Sequence, residues 1–166
     1  MSERVFAYGS NMCSGRFRAY GVSPEGKGVP AVLAGHRLLF NKKSDDKSGK
    51  ANVEPTPNGD VWGVLYTISD ADLALLASKE VGYVKRKEPV TVGDAGLEAW
   101  VFVASNPSTN PLQPYSWYKR FLVEGAREHG LPASYTDALE TIEATEDADR
   151  ERDRRKRALK CEGGVR

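Results

Sequence analysis

A chain of 166 residues with 40% hydrophobic content is the size of one ordinary domain and carries enough apolar residues for one core. Its 24 Lys and Arg against 23 Asp and Glu leave a net charge of +1, so no global field draws it to nucleic acid or to an anionic membrane. No apolar run approaches the roughly 18 residues of a membrane span, and the start Met1-Ser2-Glu3-Arg4 lacks the apolar centre of a signal peptide, which predicts a cytoplasmic protein.

Val5, Phe6, Ala7 and Tyr8 read as a buried strand that breaks at Gly9-Ser10-Asn11. Gly9 permits a sharp turn and the close approach of a ligand, and Ser10 or Asn11 can cap a helix predicted over 14–20. Such a break can aim N–H groups at an anion. Read alone, it is equally a plain strand-to-helix turn.

The Gly, Pro and Ser content of 21–28 predicts a loop, and 29–33 and 37–41 read as two short strands. The stretch 42–50 is too charged to bury. Residues 51–54 predict a further strand before the turn-rich 55–60, where Asn58-Gly59 is a strong turn signal. The clearest strand is 61–68, with Trp62, Val64 and Tyr66 alternating against Val61 and Leu65. Ser69 then starts a helix, with Asp72 in a capping-box-like position and Leu73, Leu75 and Leu76 on its apolar side. It should end between residues 78 and 81.

Residues 85–92 and 98–104 predict a hairpin turned by Gly93-Asp94-Ala95-Gly96, and 106–114 is a Pro-rich connection. Tyr118, Phe121, Leu122 and Ala126 recur at helical spacing within 115–129, and Gly130 stops that helix. A short helix follows over 134–142. Strands followed by late helices indicate an α+β domain, and this many short strands permits a closed or half-closed barrel. The domain is assigned to 1–145. The segment 146–166 is a charged tail, helical or disordered, whose interleaved acidic residues favour solvation over binding of an acidic partner by its Arg-rich centre, 150–157.

Cys13 and Cys161 lie at opposite ends of the chain and imply no disulfide framework. With His36 and His129 the only histidines, and no close Cys/His spacing, a structural zinc site has almost nothing to be built from. Chemistry must run on carboxylates, hydroxyls and backbone.

Phe6-Ala7-Tyr8-Gly9-Ser10-Asn11, Val61-Trp62-Gly63-Val64-Leu65-Tyr66, Lys79-Glu80-Val81-Gly82-Tyr83, Trp117-Tyr118-Lys119-Arg120 and the stretch 125–132 stand in an order and at separations that resemble the γ-glutamylcyclotransferase family. The likeness covers about 4–143 and includes γ-glutamylamine cyclotransferase relatives. It implies a small mixed β-barrel flanked by α-helices, without metal or organic cofactor, often dimeric. It further implies that Glu80 is the catalytic acid and base. Tyr8, Gly9, Ser10 and Asn11, with Met12 next to them, fall on the loop that holds the γ-glutamyl moiety, and Tyr83 and Tyr118 fall on pocket tyrosines. Val81 departs from the pattern by standing between the acid and Gly82, and the stretch from the acid to Tyr83 is short.

The implied substrate, a γ-glutamyl amide, contains its own nucleophile: the α-amine reaches the γ-carbonyl, closes a five-membered ring and expels the attached amine as 5-oxoproline forms. The protein must fold the substrate, take a proton from an α-ammonium of pKa about 8, and return one to the departing nitrogen. A partly desolvated Glu80 can do both, for roughly a hundred- to ten-thousand-fold in rate. Without the resemblance, Glu80 is an ordinary exposed acid at a helix end. The Gly9-Ser10-Asn11 turn can serve the substrate's α-carboxylate or charge growing on the γ-carbonyl oxygen. Tyr118 suits a pocket or the core, and Arg16 and Arg18 suit the solvated surface. Two other readings stand beside this one: Cys13 as a thiol nucleophile with His36 as base, or a non-catalytic module that binds small carboxylates.

Overall fold

Alternating and continuous apolar runs in the first two thirds of the chain form strands, and these close on themselves. The computed structural model describes residues 1–161. Its strands are β1 (Ser2–Ala7), β2 (Val29–Lys43), β3 (Gly49–Ser69), β4 (Tyr83–Val92) and β5 (Ala95–Ala104). They form a closed barrel in the order β1-β3-β2-β4-β5, sealed by a parallel bridge between Val5 and Trp100. All the other pairings are antiparallel. The helices are α1 (Ser14–Tyr20), α2 (Asp70–Lys79), α3 (Ser116–Glu128), α4 (Ala133–Glu140) and α5 (Arg150–Ala158). No helix among the described residues is long and apolar enough to cross a membrane.

The segments expected at 29–33 and 37–41 are one strand. Gly35, at φ +72°, makes a bulge between Ala34 and His36, so the ladder to β3 resumes instead of ending. Opposite that bulge, Ala34 pairs with Asp60 and His36 with Pro55, leaving 56–59 to bow out of β3 with Asn58 at φ +61°. The Asn58-Gly59 signal is therefore a local excursion within a strand that runs on from 49 to 69. The β4–β5 turn is tighter than expected: Val92 pairs with Ala95 across Gly93-Asp94 alone.

Two of the helix ends follow the sequence, but the capping of α1 expected from Ser10 or Asn11 does not occur: those residues form a 3-10 turn of their own, and Cys13 stands at the start of α1 without a side-chain cap bond. Ser69 accepts from the Asp72 N–H at 3.0 Å, while the Asp72 carboxylate accepts from the Ser23 N–H at 3.0 Å and ties down the 21–28 loop. Gly130, at φ +71°, ends α3 as the Leu131 N–H returns to the Ala126 carbonyl. Trp117, Phe121, Leu122 and Ala126 bury the inner side of α3 against the barrel. Gly125 lets α3 lie directly on the 3-10 turn Ser10–Met12 that follows β1; a Cβ there would come within 2.5 Å of the Met12 carbonyl carbon.

The charged segment after α4 is tied to the body of the protein. Asp147 is 3% exposed and accepts from Trp117 Nε1 at 2.9 Å and from Arg152 Nε and Nη2 at 2.6 Å each. Arg120 Nη2 donates to the Leu159 carbonyl at 2.9 Å, beyond the end of α5. Cys161 forms a disulfide with Cys13, their Cα atoms 4.8 Å apart. The expectation of no disulfide is thereby corrected: docking of α5 on α3 brings together cysteines 148 positions apart, a contact that sequence spacing cannot reveal. The remainder of the expected tail, 162–166, lies outside the described residues.

Candidate active site

β1 delivers Gly9, Ser10 and Asn11 to one end of the barrel, where the end of α2 and the inner face of α3 converge. A cavity of about 50 Å³ lies there, and Tyr8, Gly9, Ser10, Asn11, Glu80, Tyr83 and Tyr118 all line it. Met12 does not. Its side chain is fully buried in the core and its carbonyl accepts from Tyr66 Oη at 3.0 Å, because the 3-10 turn rotates it away from the opening.

Glu80 follows the last turn of α2, its N–H bonded to the Leu76 carbonyl at 3.1 Å. A tight turn comes next. The Tyr83 N–H returns to the Glu80 carbonyl at 3.1 Å, and Gly82 adopts φ +84°, as the third position of a type II turn requires. The short stretch with its extra Val81 thus still turns Tyr83 into the cavity, and Val81 projects outward.

The Glu80 carboxylate accepts from Asn11 Nδ2 at 2.5 Å. Burial raises its pKa above the ordinary carboxylate range, opposed by the Asn11 hydrogen bond and then by the charges of Arg16 and Lys42. Asn11 Oδ1 is buried and has no hydrogen-bond partner among the described residues. It is an acceptor beside a carboxylate, ready for an N–H donor.

The tyrosines are fixed by backbone. Tyr83 Oη donates to the Ala51 carbonyl at 2.8 Å, and Tyr118 Oη accepts from the Ala51 N–H at 3.0 Å, so both backbone polar groups of one β3 residue face tyrosines. Tyr8 Oη donates to the Phe102 carbonyl at 2.5 Å. Burial pushes Tyr8 and Tyr83 well up and Tyr118 to about 12. All three stay protonated near neutrality and serve as donors, which leaves Glu80 as the cavity side chain able to exchange a proton there. Gly9 packs so closely that a Cβ would stand 3.1 Å from Ala51 Cβ and 3.2 Å from Tyr118 Oη.

Outside this cavity lies a cleft of about 360 Å³, and Ser10, Glu80, Tyr83 and Tyr118 line both. Sequence reading missed most of its wall. Arg16, expected on the solvated surface, lies in the wall, donating to Tyr20 Oη at 2.9 Å with its guanidinium 5.1 Å from the centre of the Phe121 ring. Arg18 does not line it. Residues of the polar stretch 42–50 join the wall, as does α5, whereas 106–114 do not. No local pattern marks Ala51 or Lys156 as site residues, since only the fold brings them there.

Cys13 is fully buried, disulfide-bonded and absent from the cavity lining, which removes the thiol-nucleophile reading. His36, its supposed base, sits at the β2 bulge with Nδ1 2.9 Å from the Ala34 carbonyl oxygen. Among the described residues no group of three His, Cys, Asp or Glu side chains is gathered to hold a metal ion.

Residues 60–139 match the AIG2-like family. The chain is 30% identical over 146 residues to gamma-glutamylcyclotransferase of Bos taurus, covering 83% of this chain and 77% of the bovine protein. To the Homo sapiens gamma-glutamylcyclotransferase it is 28% identical over 148 residues, again covering 83% and 77%. A solved structure described as gamma-glutamyl cyclotransferase superposes with a TM-score of 0.82 over 95% of this chain and 99% of that one, at 24% identity, which speaks to the fold.

Proposed function

The chain belongs to the γ-glutamylcyclotransferase family, and from that premise we propose that its cavity binds a γ-glutamyl amide and closes it to 5-oxoproline with release of the attached amine. The observation that carries this reading is the partly buried Glu80 carboxylate, raised in pKa and held by Asn11 beside the Gly9–Asn11 backbone.

The substrate's α-ammonium has three donors, and the Glu80 carboxylate and the unpartnered Asn11 Oδ1 are two acceptors suited to receive it. Glu80 takes a proton from that ammonium, and the freed amine attacks the γ-carbonyl. The new bond joins the α-nitrogen to the γ-carbon, and the bond from that carbon to the departing nitrogen breaks. Two protons leave the α-nitrogen in all and two arrive on the departing amine, passing one at a time through Glu80. Donors at the Gly9–Asn11 turn and Tyr118 Oη stabilise negative charge on the substrate's oxygens. The attack is intramolecular, so correct folding of the substrate supplies much of the acceleration.

The test is 5-oxoproline release, read by mass spectrometry, across γ-glutamyl amino acids, γ-glutamyl amines and γ-glutamyl-ε-lysine. Product from at least one class, lost in Glu80→Gln, is expected. No product across the panel overturns the reading.

A further inference from the structure

Glu80 stands where the inner cavity meets the outer cleft, so under the function proposed above whatever is bonded to the γ-carbonyl must project into the cleft. The cleft wall carries Arg16, Lys42, Lys50, Arg152, Arg155 and Lys156. Two of these are neutralised: Lys50 by Asp46 at 3.1 Å, and Arg152 by Asp147 at 2.6 Å. Arg16, Lys42, Arg155 and Lys156 have no carboxylate within ion-pair distance among the described residues. Among the acidic wall residues, Asp46 is engaged by Ser48 and Lys50, Asp45 is exposed, and the Glu80 charge acts on Arg16 and Lys42, so Arg155 and Lys156 of α5 keep positive charge that no carboxylate pairs.

Lys156 is crowded by other cations as well as unpaired. The ammonium groups of Lys50 and Lys156 lie 4.4 Å and 5.1 Å from the centre of one ring, that of Trp117. Arg16 Nε is buried and without a hydrogen-bond partner among the described residues. Burial and the charges of Arg16, Lys50 and Arg155 push Lys156 down to about 8. Holding like charges together in a half-buried cleft costs free energy that an anion in the cleft would relieve. The unpaired cations come from separate elements, Arg16 from α1 and Arg155 and Lys156 from α5, so a ligand with two carboxylates can meet both sets.

We propose that the outer cleft is a subsite selecting γ-glutamyl amides whose departing amine carries two carboxylates, with Arg155 and Lys156 of α5 as specificity-determining residues. The inference rests on the cyclotransferase reading and adds the class of leaving group. It also gives the Arg-rich run of α5 a role toward an acidic ligand, one that its interleaved acids mask in the sequence. Those acids are directed elsewhere: Asp153 pairs with Arg157 at 3.0 Å and Asp149 caps the helix.

The experiment compares γ-glutamylglutamate, whose departing amine carries two carboxylates, with its isostere γ-glutamylglutamine, which carries one, and with γ-glutamylethylamide, which carries none, reading kcat/KM from 5-oxoproline release. At low ionic strength the acidic substrate should exceed its isostere at least tenfold, and the ratio should shrink in about 0.5 M salt. In the double variant Arg155→Gln, Lys156→Gln the ratio should fall toward one, and in Lys156→Glu it should fall further; a thermal melt of each variant reports its folding. A wild-type ratio near one, or a ratio unmoved in folded variants, overturns the subsite while leaving the cyclotransferase reading intact. No 5-oxoproline from any of the three, or from the wider panel, overturns both.

Discussion

The inner cavity and the outer cleft share Glu80 but are built on opposite principles. In the cavity, side chains are fixed by direct hydrogen bonds: Tyr83 and Tyr118 by the backbone of Ala51, Tyr8 by the Phe102 carbonyl, and Glu80 by Asn11. In the cleft, long cationic side chains from α1, the 42–50 stretch and α5 face solvent with their charges partly unmatched. Under the proposed function, the first arrangement serves a chemical step and the second the choice of what enters. The two should therefore fail differently when altered.

The largest effect belongs to the cavity. Glu80→Gln keeps an oxygen to accept from Asn11 but cannot take a proton, so kcat should fall by roughly a thousandfold with little change in Tm. A variant that retained a tenth of the wild-type rate would sink the carboxylate's role.

The next two changes act on the mooring of α5. Loss of the Cys13–Cys161 disulfide, by reduction or Cys161→Ser, frees a very long loop and should cost about 3 kcal/mol. Melts with and without reductant should differ by roughly 6–12 °C. Non-reducing peptide mapping that found both cysteines free would remove this distinction between the two regions. Asp147→Asn breaks a buried charge pair and should cost about 2 kcal/mol. Arg152 holds the Asp147 pKa down to about 2, below its ordinary 3.8. The native carboxylate's contribution is thus complete above the unfolded carboxylate range and is lost as pH falls toward 2. The Tm deficit of the variant should accordingly be full at neutral pH and vanish in strong acid.

The smallest effect sharpens the comparison most. Asn11 donates to Glu80 and favours its charged form, so Asn11→Ala should raise the Glu80 pKa. Glu80 then becomes a base only at higher pH, and the acid limb of the kcat/KM profile should move to higher pH. An unmoved or downward-moved limb would mean that another group governs that limb.

Legibility in the sequence followed the range of the interactions. Ser69 and Asp72 announce the start of α2 because a cap involves residues three apart, and Gly130 announces the end of α3 for the same reason. The Gly35 bulge was misread as a strand break because its meaning depends on β3 pairing on both sides of it. The cavity residues were legible through resemblance, while Met12, adjacent in sequence, turns into the core. Arg16 and Lys156 carry no local mark that separates them from solvated charges.

From residue order alone came the α+β class and most element boundaries, since strand alternation, helix spacing and capping are interactions among near neighbours, while Glu80 came through the family resemblance. The tertiary structure alone decided that Ala51 anchors two tyrosines, that the first and last cysteines meet, and that α5 becomes a wall of the cleft. Each of those depends on which distant surfaces are buried against one another, and burial is a property of the packed chain.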